Sequence, residues 1–274
     1  MEIITLVENT SKSDELQSEH GLSLFINTKK HKLLFDVGAT SLFAINAKKL
    51  NVNLSDVDLV IISHGHYDHG GGLKTFLNLN SKAKIYFNQK AFQNHYANRP
   101  NGERVYIGLD KTLIPNGRFI FVKDRFIIDD ELELFSNVKA EKLNPSGNKD
   151  LLMEEGTIIK NDDFSHEQNL IIKEKGKTVL VAGCAHNGIV NILEHLRKKN
   201  IATPTHVIGG FHLYNRSADV YDNPVLIRHI GEYIKETDVK YYTCHCTGIE
   251  PYKILKEIMG ERIEYLSTGS KLII

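Results

Sequence analysis

The chain of 274 residues has no tryptophan, three cysteines, and no apolar run near the ~18 residues needed to span a bilayer. Cys184, Cys244 and Cys246 are too few, and odd in number, for a disulfide framework. Neither sign of charge prevails: 34 Lys and Arg stand against 34 Asp and Glu, which withholds the electrostatic footprint of a nucleic-acid-binding protein. Residues Met1–Leu6 carry no basic segment ahead of an apolar core, so no secretory leader is expected. Together these absences predict a protein of the reducing cytoplasm that meets neither membrane nor nucleic acid and acts on a small molecule. They leave the oligomeric state open.

What is present is an ordinary globular composition, 41% hydrophobic and 25% charged. Short β-rich runs alternate with helical patterns from end to end. Strands are expected at Ile3–Val7, Leu22–Asn27, Lys32–Phe35 and Asp58–Ile62, with a helix over Ser41–Leu50. Later come a hairpin of Asn169–Lys173 with Thr178–Ala182, helices at Ile189–Lys198, Pro224–Glu236 and Pro251–Met259, and strands His206–Ile208 and Lys240–Thr243. With no linker and no short repeat, this rhythm predicts a single α/β (α+β) domain over 1–274. Two mixed sheets would pack face to face with helices outside both, a four-layer αββα sandwich. Residues from about 95 to 165 are dense in turn signals, such as Arg99-Pro100-Asn101-Gly102 and Asn144-Pro145-Ser146-Gly147. An irregular lid or substrate-binding insertion is expected there.

The chemistry is concentrated in Ile61-Ile62-Ser63-His64-Gly65-His66-Tyr67-Asp68-His69. A buried strand ends, and within six residues the chain presents three imidazoles and a carboxylate. These groups suit zinc, and also iron or manganese. Four such side chains on one tight loop cannot converge on one ion with good geometry, but they can serve two adjacent ions: His64 and His66 the first, Asp68 and His69 the second. Gly70, Gly71 and Gly72 let the backbone pass close behind the site.

This spacing resembles the signature of the metallo-β-lactamase superfamily, and the resemblance covers essentially the whole chain. It implies the αββα fold, a metal-dependent enzyme and two divalent ions, zinc first. It also implies three further ligands on later strand ends: a third histidine, a bridging acid and a final histidine. His245, in Thr243-Cys244-His245-Cys246-Thr247-Gly248, matches the last. Where the bridging Asp would stand, after Val181-Ala182-Gly183, this chain has Cys184, either a thiolate ligand or a small buried residue. His186, at the start of a helix, is the candidate third histidine; Asp163 and His166 compete for that slot. Asp36 matches the acid that orients ligands by hydrogen bonding.

Further stretches, Glu19-His20-Gly21, Gly183-Cys184-Ala185-His186, Gly209-Gly210-Phe211-His212-Leu213 and His245-Cys246-Thr247-Gly248, resemble one branch of that superfamily. The branch includes archaeal dihydropterin–ribofuranosylaminobenzene-phosphate synthases and bacterial metal-dependent hydrolases. By position, His212 is expected to bind substrate or shuttle a proton, and His20 to line the same pocket. His31, His95, His195, His206 and His229 are expected to be ordinary, His195 on a solvated helix face beside Glu194 and Arg197. The expected activity is hydrolysis of an ester, lactone, amide or phosphodiester by a water activated between two metals, with Asp68 orienting it. One alternative is a transferase joining a pterin-methyl diphosphate to a ribofuranosylaminobenzene phosphate, which would release pyrophosphate. Another, from a different class, is a metal-containing redox or binding and sensing protein.

Overall fold

The computed structural model describes residues 1–274 and builds them around two seven-stranded sheets. Across the first sheet the strands run Lys271–Ile273, Glu2–Val7, Ser23–Asn27, Lys32–Phe35, Leu59–Ile61, Lys84–Asn88 and Phe119–Val122. Across the second they run Ile263–Tyr265, Lys240–Thr243, His206–Gly209, Lys177–Val181, Gln168–Glu174, Leu132–Ser136 and Arg125–Ile127. Both sheets are mixed, with parallel pairings where helices cross over. No helix is long and apolar enough to cross a membrane.

Three apolar cores follow from the pleat. Successive side chains point to opposite faces of a strand, and here both faces are covered. Leu24, Ile26, Phe35, Ile61, Leu134, Leu170, Val181 and Ile208 meet between the sheets. Their neighbours Phe25, Leu34 and Val60 face the other way, against residues of the helices Leu42–Lys49 and Leu73–Leu79. On the second sheet Phe135, Ile171, Leu180, Val207 and Tyr241 pack under Ile189–Lys198, Pro224–Lys235 and Ile249–Met259. That is the αββα layering, and it explains why the strands read as continuous apolar runs. Each large side chain so buried stabilises the fold by about 1.5–3 kcal/mol.

The stretch 95–165 is more ordered than its turn signals suggest. Phe119–Val122 closes one edge of the first sheet, and Arg125–Ile127 and Leu132–Ser136 belong to the second. The remainder forms a separate antiparallel sheet of Ile158–Asn161, Leu151–Glu155, His95–Asn98 and Arg104–Tyr106. His195 is half-buried and stacks on Phe135 at 5.7 Å, so its helix face is not simply solvated. That helix begins at Ile189, after a turn at Gly188, and His186 lies in the loop before it.

The two ends of the sandwich differ. At one, the turn of the Ser23–Asn27/Lys32–Phe35 hairpin is tied to the second sheet by polar contacts. The Thr28 hydroxyl donates to Glu131 (2.7 Å), the Lys29 N–H to Glu174 (3.0 Å), and His31 Nε2 lies 2.5 Å from Asp129. At the other end, the parallel strands of both sheets finish together, and the residues that follow them adopt unusual backbone. Asp36, Ala185, His212 and His245 have φ of 61°, 53°, 52° and 52°. Left-handed backbone costs a residue with a Cβ about 1–2 kcal/mol, and such strain tends to gather at functional sites.

Candidate metal centre

Four strand ends deliver the chemistry. Leu59–Ile61 runs into Ser63–His69, Lys177–Val181 into Gly183–His186, His206–Gly209 into His212, and Lys240–Thr243 into His245. The loops come very close: a Cβ on Gly183 would lie 2.2 Å from Ser63 Oγ, so only glycine allows the contact between the two sheets. The rings of His64, His66 and His186 converge, with centroids 4.6, 4.9 and 5.0 Å apart. Asp68, His69, Cys184 and His245 form an adjoining group whose ligand atoms all lie within 4.8 Å of one another. Cys184 belongs to both groups, since its sulfur lies equally within reach of His64 and His186.

Hydrogen bonds settle which ring nitrogen of each histidine faces inward. Nδ1 of His64 donates to Ser63 Oγ (2.8 Å), which donates in turn to Asp36 Oδ2 (2.8 Å). Nδ1 of His186 donates to Asn148 Oδ1 (3.0 Å), while Asn148 Nδ2 donates back to the His186 carbonyl (2.7 Å). Nδ1 of His245 donates to Asn9 Oδ1 (2.7 Å). In each ring the proton is thereby fixed on Nδ1 and the lone pair on Nε2. Those three Nε2 atoms are buried and have no partner. A buried polar atom left unpaired costs about 1–3 kcal/mol, and several aimed at one place beside a carboxylate and a thiol fit a divalent cation. Phe164 stacks flat on His186, 4.5 Å between centroids, which further locks that ring.

Burial holds His64, His66 and His186 well below the ordinary imidazole range, so they are neutral, as ligands must be. His69 behaves differently. Burial pulls its imidazolium down, but Asp36 and Asp68 outweigh burial and hold it up at about 9. Without metal, both its nitrogens carry protons: Nδ1 donates to Asp36 (2.6 Å), and Nε2 lies 3.1 Å from Cys184 Sγ. Burial also pushes the Cys184 thiol up.

Metal uptake at pH 6 is therefore expected to release about two protons if the Cys184 sulfur coordinates, and about one, from His69, if it does not. Calorimetry in buffers of different ionisation enthalpy counts them, and Cys184→Ala should lower the count by about one only in the first case. In the metal-free protein, protonated His69 stabilises the fold fully below the ordinary imidazole value of 6.5, and that contribution is lost as pH rises through about 9.

The remaining expected residues sort themselves by contact. Asp36 accepts from the Ser63 N–H (2.7 Å), the Ser63 hydroxyl and His69, orienting two of the imidazoles. His20 borders the pocket, but its Nε2 points at Asp68 Oδ2 (3.3 Å). Burial lowers its pKa to about 3 against the pull of Asp68, so it steadies that carboxylate as a neutral donor. His212 lies beside His186, with centroids 4.1 Å apart, and neither of its nitrogens has a partner. Asp163 and His166 do not join the centre. Asp163 is exposed and caps the Ser165 N–H (2.9 Å), and both nitrogens of His166 are engaged elsewhere. His95 is not ordinary, because it is fully buried against Asp162.

Sequence reasoning missed Asn9, Asn148, Glu167 and Asp162. Glu167 is the most informative of these. Its buried carboxylate accepts from the His186 N–H (2.6 Å), the Asn187 N–H (3.2 Å) and Asn187 Nδ2 (2.8 Å), pinning the loop that carries His186.

A cavity of about 280 Å³ opens on the centre, bordered by His66, Asp68, Cys184, His186 and His245, and by Arg99, Tyr214 and Arg216. The layered sheets and the imidazole-rich cluster at their strand ends define a metal-dependent class of protein. The chain belongs to the metallo-β-lactamase superfamily, whose family model matches residues 18–221. Among its relatives is the 7,8-dihydropterin-6-methyl-4-(β-D-ribofuranosyl)-aminobenzene-5'-phosphate synthase of Methanocaldococcus jannaschii. It is 29% identical over 98% of this chain and 95% of its own. An uncharacterized protein of the same archaeon is 30% identical over 92% and 93% of the two chains. The crystal structure of Tm1679, a metal-dependent hydrolase of the β-lactamase superfamily, superimposes with a TM-score of 0.83 at 31% identity, covering 100% of this chain and 99% of that one.

Proposed function

We propose that this protein is a metal-dependent hydrolase that cleaves an ester, lactone, amide or phosphodiester in a small anionic molecule. The observation that carries the reading is the convergence of unpaired, buried Nε2 atoms of His64, His186 and His245 beside Asp68 and Cys184 at one cavity. Two divalent ions, zinc first, would be held by His64, His66 and His186 on one side and Asp68, His69 and His245 on the other, with Cys184 between. Bound there, they would lower the pKa of a water and polarise the substrate oxygen.

The chain's own groups supply the rest. Asp68, kept ionised and steadied by His20, can accept a proton from an attacking water through the carboxylate edge not engaged by a metal. His212, with both nitrogens free, is placed to give a proton to the departing group. Arg99 and Arg216 border the mouth, Arg99 tethered to Ser217, and neither is paired with a carboxylate. Guanidinium groups at that place favour an anionic substituent such as phosphate on the substrate.

The second reading is group transfer, which the 29% identical synthase favours. One experiment separates the two. The zinc-loaded protein is offered esters, lactones and phosphodiesters, with and without a phosphate group, in water enriched in oxygen-18. Label in the product, with preference for the phosphorylated substrates, supports hydrolysis. Diphosphate released only when an aromatic amine is also present supports transfer. A protein that binds metal but does neither sinks both enzymatic readings.

A further inference from the structure

Beside His66 lies a second buried group that the proposed reaction does not use. His95, Asp162 and His166 present ligand atoms within 4.8 Å of one another and of His66. Three imidazoles and a carboxylate invite a third metal ion, but the hydrogen bonds take His166 out of such a site. The Gly65 N–H donates to His166 Nδ1 (2.9 Å), so that nitrogen holds the lone pair and the neutral ring carries its proton on Nε2. That proton is donated to Asp162 Oδ2 (3.2 Å). A ring in this state has no lone pair left for a metal.

The group is better described as a carboxylate surrounded by donors. His95 Nδ1 donates to the same Oδ2 (2.9 Å), and the other oxygen accepts from the Phe164 N–H (2.8 Å). A third ring faces it: His66 Nε2 stands 4.0 Å from Oδ2 and has no partner of its own. Gly65 is what lets these rings close in, because a Cβ there would lie 2.9 Å from His95 Nε2 and 2.3 Å from the Ala91 carbonyl. The charges of the two metal-binding sets also differ. Asp68 gives the second set an anionic carboxylate, whereas His64, His66 and His186 are all neutral and Cys184 lies between the two sets.

We propose that Asp162 is the positioning residue of the first metal. It would accept a hydrogen bond from His66 Nε2–H, leave Nδ1 of that ring for the metal, and lend by that bond the negative charge that the three histidines lack. His66 would then coordinate through the opposite nitrogen from His64, His186 and His245. The inference rests on the metal-dependent reading of the centre.

Zinc binding to wild type, Asp162→Asn, Asp162→Glu and the exposed control Asp163→Asn tests it, together with nitrogen-15 NMR of the histidine rings in the zinc-loaded wild type. Asp162→Asn should lose about 10–100-fold in affinity for one ion and keep the other. Asp162→Glu should recover part of the loss, and Asp163→Asn should match wild type. The spectrum should show His66 protonated on Nε2 and bound through Nδ1. The NMR result stands even if Asp162→Asn does not fold. Two ions held by Asp162→Asn with wild-type affinity, or His66 bound through Nε2, would overturn the proposal and leave the metal-dependent reading intact. A wild type that takes up no metal would overturn that reading and this one with it.

Discussion

His186→Ala is expected to leave the protein with about one metal ion per chain and to cut kcat/KM by about 10³-fold, the loss of ~4 kcal/mol of transition-state stabilisation. The reasoning is local. His186 offers the first metal set an Nε2 aimed by Asn148 and locked by Phe164, and neither residue that competes for its slot replaces it. Asp163 is exposed, and His166 has both nitrogens committed. The loop itself should survive, because Glu167 grips the backbone N–H of residue 186, which alanine keeps. Elemental analysis of protein purified without chelator, beside steady-state kinetics on whichever substrate proves active, measures both quantities. A variant that keeps two ions would move the third ligand of the first set to another residue.

Glu167→Ala should act on the fold and on the site together. It strips an acceptor from three buried donors, each left unpaired at about 1–3 kcal/mol. A total near 3 kcal/mol or more corresponds to a fall in Tm of roughly 6–12 °C. Because all three donors belong to the loop that carries His186, metal affinity at the first set should fall as well. Thermal unfolding of the metal-free and zinc-loaded variant separates the effects. An unchanged Tm in both states would mean that the loop is held by something other than this carboxylate.

The histidine signature was legible because its chemistry is packed into one loop after one strand. His245 was legible because a strand, a histidine and a glycine turn follow one another directly. The layered fold followed from apolar runs whose rhythm survives in sequence. What escaped were the residues that aim the ligands. Asn9 meets His245 across 236 positions, and Asn148 meets His186 across 38. A hydrogen-bond partner chosen by tertiary approach has no local spacing to read. Asp162 and Glu167 were hidden for the same reason, although they lie within a few residues of the competing candidates Asp163 and His166. The sheet built from Leu151–Glu155 and His95–Asn98 was masked differently. Its short outer strands are partly exposed and mix polar with apolar residues, so their turn signals outweigh their strand signals.

The two ends of the sandwich are fastened by unlike means. At the hairpin end, Thr28, Lys29 and His31 reach the carboxylates of Glu131, Glu174 and Asp129 on the side of the other sheet, a clasp of polar contacts. At the strand-end rim the first sheet supplies His64 to His69 and the second supplies Cys184, His186 and His245, so any ion shared among them is a rivet between sheets. A chelator would draw the rivet without touching the clasp. The sandwich can thus be pried open from one rim while the other still holds. The pocket sits at the rim whose fastening would come and go with the supply of metal.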